Sequence, residues 1–388
     1  MWPKIAPRLT ILTVAAALAG APAAATAAQL RFGIDPQPAG TAGASQSVVA
    51  PVDQARTLAA LRALRPPGEE LVLRLNRLFE SDGADGIGRF RRLVRRDDRA
   101  GFDSEIQVRY HPSAAQVGKL ADWTRFVRHV VDAVGSDPHV VALTITNEIN
   151  LRGSPNTSDG AYPRAQAALI DGILAAHREA RRRGDAQLRL GFTYAYRFDP
   201  TIDARMFAAL RRGGPAFRRA LGFVGVDFYP ELVPGRAVPV PRATRQMLAF
   251  VRDQLMPLGG LGRRIPIWIT ETGYDTIPGV AGPDLQRTAL DEIVTTVAHA
   301  AAHYNVTDLR WFDLRDSGPA ATGFAERSGL ETADYRRRPA FGAYRALIAR
   351  YGVQRPPAPA RRSSLRHPER HRLDRGGYRL AVDVGATN

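Results

Sequence analysis

One alternation, maintained over about 320 residues, constrains this chain more than any other feature: short apolar runs recur, each followed by a stretch of helical periodicity. The runs are Leu30–Asp35, Leu71–Leu75, Ile106–Pro112, Val140–Thr146, Leu188–Tyr194, Phe223–Pro230, Pro266–Tyr274 and Asp308–Phe312. Continuous apolar runs of this length fit strands covered on both faces, as in parallel sheets. Between them the apolar positions fall at helical spacing, as with Leu120, Trp123, Phe126, Val127, Val130 and Val134 in Val117–Val134. Leu169, Ile173, Ala176 and Ala180 do the same in Arg164–Arg183. Eight such units predict one (β/α)8 TIM barrel, a single α/β domain over residues 29–351. An open doubly wound sheet is the alternative, but no glycine-rich phosphate loop follows the first strand. With 388 residues, 45% of them hydrophobic, there is material for a large core.

The two ends of the chain stand apart from this repeat. Lys4 and Arg8 precede the apolar segment Leu9–Leu18 and a run of small residues to Ala28, the pattern of a secretory signal peptide over residues 1–28. The expected location is therefore secreted or extracytoplasmic. No later segment reaches the roughly 20 apolar residues that a membrane-spanning helix needs. Cysteine is absent, so stability rests on the core and not on disulfides. Residues 352–388 are rich in Pro and Arg with little apolar content and are expected to be disordered. The net charge of +16 comes almost wholly from arginine, Lys4 and Lys119 being the only lysines. The arginines are scattered through helical stretches such as Arg181–Arg183 and through the tail, which fits solvated faces better than a nucleic-acid footprint. A tether from the basic tail to an anionic cell-wall polymer is the other use for that charge.

The strand ends carry the chemistry. Arg74, His111, Asn147, Glu148, Tyr229, Glu271 and Trp311 all fall at or near the carboxyl ends of predicted strands, the face on which barrel enzymes place their reactive groups. Glu148 follows Asn147 at the end of the fourth run. Glu271 closes the seventh, in Thr270-Glu271-Thr272-Gly273, nearly across the barrel mouth. A carboxylate at the end of a buried strand is costly unless it is paired or used. Two that face each other suit the cleavage of a glycosidic bond. That reaction needs one protonated acid for the leaving oxygen and one carboxylate at the anomeric carbon, and their spacing decides whether water or the enzyme attacks. Arg74 is suited to keeping one of them charged and Tyr229 to donating a hydrogen bond to it. The other needs a more apolar setting that raises its pKa. Each residue also has a structural reading: glutamates paired with arginines, His111 a satisfied histidine, Tyr229 packed beside Pro230, Trp311 either a surface for a sugar ring or a core residue. The eight histidines form no HExxH cluster and no G-x-S-x-G turn is present, so neither a metal nor a serine nucleophile is expected.

Asn147-Glu148, Tyr229 and Thr270-Glu271-Thr272-Gly273 resemble the retaining glycoside hydrolases of the large (β/α)8 clan that includes cellulases, β-mannanases, β-galactanases and β-glucanases. The resemblance spans residues 30–351 in strand order and is specific only at the strand ends. It implies Glu148 as general acid/base, Glu271 as nucleophile, Asn147 holding the substrate 2-hydroxyl, and Arg74 and Tyr229 contacting the nucleophile. It further implies that His111 and Trp311 line the subsite of cleavage, that no cofactor takes part, and that the partner is a β-glycan polysaccharide or oligosaccharide. Where many cellulase relatives continue Asn-Glu with Pro, this chain has Ile149-Asn150, which leaves the family and the sugar open. Leu151–Tyr162 is expected to be a substrate-contacting loop, and Asn156-Thr157-Ser158 is a glycosylation sequon. A barrel that binds cell-wall glycan without cutting it is the competing expectation.

Overall fold

The computed structural model describes residues 27–355, apart from 39–48, 154–156, 186, 198–199, 233–237, 280 and 324. The expected signal segment falls almost wholly outside these residues, as do the tail from 356 onward and Asn156 of the sequon.

The first half of the chain runs β1 (Arg31–Ile34), α1 (Gln54–Leu64), β2 (Val72–Phe79), α2 (Gly83–Arg99), β3 (Asp103–Arg109), α3 (Leu120–Val134), β4 (Val140–Ile145) and α4 (Ala165–Arg183). The second half runs β5 (Arg189–Ala195), α5 (Pro200–Leu210), α6 (Gly214–Ala220), β6 (Phe223–Phe228), α7 (Val240–Ala249), α8 (Met256–Leu258), β7 (Ile267–Thr272), α9 (Pro283–Tyr304), β8 (Val306–Trp311) and α10 (Pro339–Tyr351). All neighbouring strands are parallel, and β8 pairs with β1 from Arg31 opposite Asp308 to Ile34 opposite Trp311. The result is a closed barrel in sequence order, as expected. Helix ends follow local chemistry. Asp53 Oδ1 accepts from the amides of Ala55 and Arg56 at 2.9 and 3.0 Å, which satisfies two orphan donors of α1. The short helix α6 and the π-helical turn Phe250–Leu255 between α7 and α8 carry no periodicity that would have announced them.

Strand β2 departs most from expectation. It continues to Phe79 instead of stopping at Leu75, because a register shift between Leu75 and Leu78 absorbs Asn76 and Arg77 and lets the strand rejoin β3. Side chains alternate along each strand. One set, including Phe32, Leu73, Ile106, Leu143, Phe192, Val226, Ile269 and Leu309, packs with helix residues such as Trp123, Leu169, Leu290 and Tyr344 into one continuous core outside the barrel. Each such side chain, once buried, contributes roughly 1.5–3 kcal/mol.

The other set fills the bore, and much of it is charged. At the amino-terminal end the Phe223 and Trp268 rings stack at 3.7 Å, with the guanidinium groups of Arg31 and Arg310 over Trp268. Above them Asp308 Oδ1 accepts from Arg31 Nε at 2.7 Å and from Arg310 Nη2 at 2.8 Å. Arg310 Nε reaches Glu105 Oε2 at 3.1 Å, and Glu105 Oε1 accepts from Thr144 Oγ1 at 2.8 Å and Arg74 Nε at 3.4 Å. Charges this deep are tolerable only because each finds an opposite partner. The ladder ends at Arg74, directly below the open face.

Candidate active site

The carboxyl ends of the strands open on a cavity of about 470 Å³. On β7, Glu271 is 8% exposed. Arg74 Nη1 donates to its Oε1, and the Tyr229 hydroxyl donates to its Oε2 at 3.1 Å. Both oxygens are therefore acceptors, as in an ionised carboxylate. Burial works against the charge of Arg74, but the nearby Glu271, Asp227, Glu105 and Asp35 together raise its pKa, so the guanidinium stays charged. Gly273 lets the end of β7 come this close to β8, since a Cβ there would lie 2.4 Å from the carbonyl oxygen of Phe312.

The β4 end is a strained turn. Thr146 and Glu148 have φ of 69° and 42°, the left-handed region that a β-branched residue rarely enters. The turn is held from several sides. The Thr146 amide donates to the Val108 carbonyl at 2.8 Å, the Asn147 amide to Asp159 Oδ2 at 2.9 Å, and the Glu148 amide to Thr193 Oγ1 at 3.0 Å. The Asn147 side chain accepts from Gln107 and Thr193 and donates to the Thr157 carbonyl. This strain turns Glu148 toward the cavity, where Ser158 Oγ donates to its Oε2 at 2.8 Å. Burial first, and the charge of Glu271 second, raise the Glu148 carboxyl to about 7. The two glutamates thus differ in the sense that acid/base chemistry requires.

A third carboxylate joins them. Asp227 on β6 is 1% exposed and lines the cavity; its Oδ1 accepts from Thr270 Oγ1 at 2.7 Å, and its Oδ2 is buried with no hydrogen-bond partner among the described residues. Burial, reinforced by Glu271, pushes its pKa well up against the pull of Arg74. One oxygen from each of Glu148, Asp227 and Glu271 lies within 4.8 Å of the others. Three such oxygens have the chemistry to ligate a hard divalent cation. Arg74 and Tyr229, however, already occupy both oxygens of Glu271 with directed donors.

The structure therefore brings Asn147, Glu148, Tyr229 and Glu271 into the lining of one cavity, with Arg74 fully buried beneath it and bonded to Glu271. It does not bring in the other two expected contacts. Trp311 is fully buried on the outer face of β8, its ring 6.3 Å from Tyr344 of α10 and its Nε1 donating to the Ser328 carbonyl at 3.2 Å. The reason is phase: Arg310 points into the bore, so its successor points away. Phe312, one residue on, lines the cavity and packs edge-on against Tyr229. The Phe312–Asp313 peptide is cis. His111 lies two residues beyond the end of β3, stacked on Phe79 at 4.3 Å and beside Tyr162, outside the cavity lining. Arg109, the last residue of β3, takes the place expected for it.

Arg109 is in turn fixed by Asp159, a fully buried loop residue that sequence reasoning passed over. Asp159 accepts from Arg109 Nε at 2.6 Å and from the amides of Tyr110 and Asn147 at 2.8 and 2.9 Å, so it pins β3, β4 and the following loop together. Leu151 and Thr157 of that loop line the cavity. Gly160 is obligatory in it, because a Cβ would lie 2.3 Å from the Leu151 carbonyl oxygen.

No family model matches the sequence, and no curated protein matches it either. The fold does match solved structures. The GH5_18 protein of Streptomyces cattleya in complex with GlcNAc superposes with a TM-score of 0.59 at 15% identity, over 85% of this chain and 82% of that one. The β-glucosidase of Thermotoga maritima in complex with a methoxycarbonyl-substituted glucoimidazole gives 0.59 at 14% identity, over 86% of this chain and 100% of that one. A GH5_18 protein of Bifidobacterium longum subsp. infantis gives 0.58 at 13% identity, over 84% and 80%. At these identities the likeness is one of fold.

Proposed function

We propose that this chain is a retaining β-glycoside hydrolase acting outside the cytoplasm, with Glu271 as nucleophile and Glu148 as acid/base. The observation that carries the reading is the spacing of the two carboxyls, with oxygens no more than 4.8 Å apart across a cavity at the mouth of the barrel. Retaining enzymes hold the pair about 5–5.5 Å apart, whereas inverting enzymes need roughly 6.5–9.5 Å to admit a water.

In this reading Glu271, held by Arg74 and Tyr229, attacks the anomeric carbon. The glycosidic C–O bond breaks, its electron pair goes to the leaving oxygen, and the Glu148 proton neutralises that oxygen. Glu148, now a carboxylate, takes a proton from water; the water oxygen displaces Glu271, and the sugar leaves with its original anomeric configuration. Asn147, which lines the same cavity, holds a ring hydroxyl in this reading, and Phe312 with Tyr229 offers an apolar wall to the ring.

The test is hydrolysis of a panel of β-glycans and aryl β-glycosides, with the first-formed anomer read by NMR. Retention at the anomeric carbon, its loss in Glu271→Ala, and restoration by azide of an α-glycosyl azide product in that variant are expected. Release of the inverted anomer sinks the double displacement. Glycan binding that survives Glu271→Ala, with no reducing ends released by the parent protein, points instead to a binding barrel.

A further inference from the structure

The sugar is the open question, and the cavity wall formed by β2 and β3 narrows it. Arg77 and Arg109 line that wall, with Arg197 on the β5 side. Arg109 is 1% exposed, its Nε taken by Asp159 and its guanidinium 5.5 Å from the Phe79 ring. Its Nη2 is nevertheless buried with no hydrogen-bond partner among the described residues, whereas Arg197 Nη2 lies 3.9 Å from Asp203 Oδ1 in an ion pair. A buried donor left unmatched is destabilising, more so on a charged group, and its persistence at a cavity wall points to a ligand that completes it.

Arg77 reaches the cavity through an irregularity. It lies in the register shift of β2 between Leu75 and Leu78, with φ at 73°. Such a conformation in a non-glycine residue costs on the order of 1–3 kcal/mol, and bulges beside active sites commonly re-aim a side chain. What the bulge achieves here is to put a second guanidinium on the same cavity lining as Arg109, where burial lowers the Arg77 pKa, Asp35 pulls it back up and the charge of Arg109 lowers it again. Two guanidinium groups thus line the cavity that also holds Glu271.

We propose that the substrate is an acidic β-glycan, and that Arg77 and Arg109 together hold the carboxylate of a uronic acid residue. This rests on the glycosidase reading and names its substrate class. A guanidinium fork matches a carboxylate bidentately, which a neutral hydroxyl cannot reproduce. Glu271 and Glu326 also line the cavity, so an anionic group is repelled from them and directed to the arginine wall. The net charge of +16 favours the encounter with a polyanion.

Carboxyl reduction converts the uronic acids of a glycan to neutral sugars without altering its linkages, which provides matched pairs. The enzyme is assayed on glucuronan, β-mannuronan, hyaluronan and their reduced forms. At least one acidic member is expected to be cleaved with kcat/KM about tenfold or more above its reduced form, as loss of one charged hydrogen bond implies. Arg77→Gln is expected to reduce that ratio about tenfold and Arg77→Lys to restore part of it. Equal cleavage of acidic and reduced forms, or an unchanged ratio in Arg77→Gln, overturns the uronate site and leaves the glycosidase reading intact. Failure to cleave any glycan, acidic or neutral, sinks the glycosidase reading. Titration calorimetry with a β-glucuronate tetrasaccharide against its reduced form then decides the site by itself: preference for the acid supports it, and equal binding overturns it.

Discussion

Glu148 and Glu271 are the same side chain in two settings, and the setting assigns the work. Glu271 is gripped at both oxygens, whereas Glu148 has one hydroxyl donor and is raised to about 7 by burial and by Glu271. The protonated form of Glu148 is therefore present below pH 7 and lost above it. The kcat/KM profile is expected to fall on its alkaline side with a midpoint near 7, and Glu148→Gln is expected to abolish that limb together with most turnover of substrates with poor leaving groups. Asp227 makes a second residue-level prediction. Its folded pKa lies well above its unfolded value, so above about pH 4 the unfolded chain releases a proton that the folded chain keeps, and stability falls as pH rises. Asp227→Asn is expected to raise Tm at pH 7 and to lose that advantage below pH 4. An equal change in Tm at both pH values would show that Asp227 is not held protonated.

At the scale of elements, the lesson lies in phase. Strand identity was legible because continuous apolar runs ended in polar residues, and the pairing of Glu148 with Glu271 followed from strand order. The direction of a side chain was not, since it reverses at every residue and the last residue of a strand is the hardest position to fix from sequence. Trp311 and Phe312 differ by that one step, and so do a core residue and a cavity wall. His111 was misplaced for a related reason: β3 ends at Arg109, and no periodicity governs the chain beyond it. Asp227 and Asp159 escaped notice because an aspartate near a strand end or in a loop looks like ordinary turn chemistry. Trp311→Ala is expected to cost about 3–5 kcal/mol in denaturant unfolding while kcat per folded molecule changes little. Phe312→Ala is expected instead to raise KM. If Trp311→Ala altered KM and left stability unchanged, the assignment of its face would be wrong.

Across the whole molecule, the barrel separates two kinds of interior. The apolar core lies between strands and helices, and the bore holds the ladder from Arg31 through Asp308, Arg310 and Glu105 to Arg74. Closure of eight strands could be foreseen from the repeat; a charged bore could not, because its members are single residues scattered along the runs. Glu105→Gln is expected to lower stability by about 3 kcal/mol and kcat by about tenfold, the first from breaking a buried pair and the second from loosening Arg74. Loss of stability with kcat per folded molecule intact would confine the ladder to a structural role.

The ladder also bears on how such a protein can change over generations. Since Glu105 and Arg310 orient Arg74, and Arg74 orients Glu271, inherited variation that alters turnover need not arise where a sugar can touch the protein. A random-mutagenesis screen for altered activity should return hits along the barrel axis, at positions no ligand could ever reach.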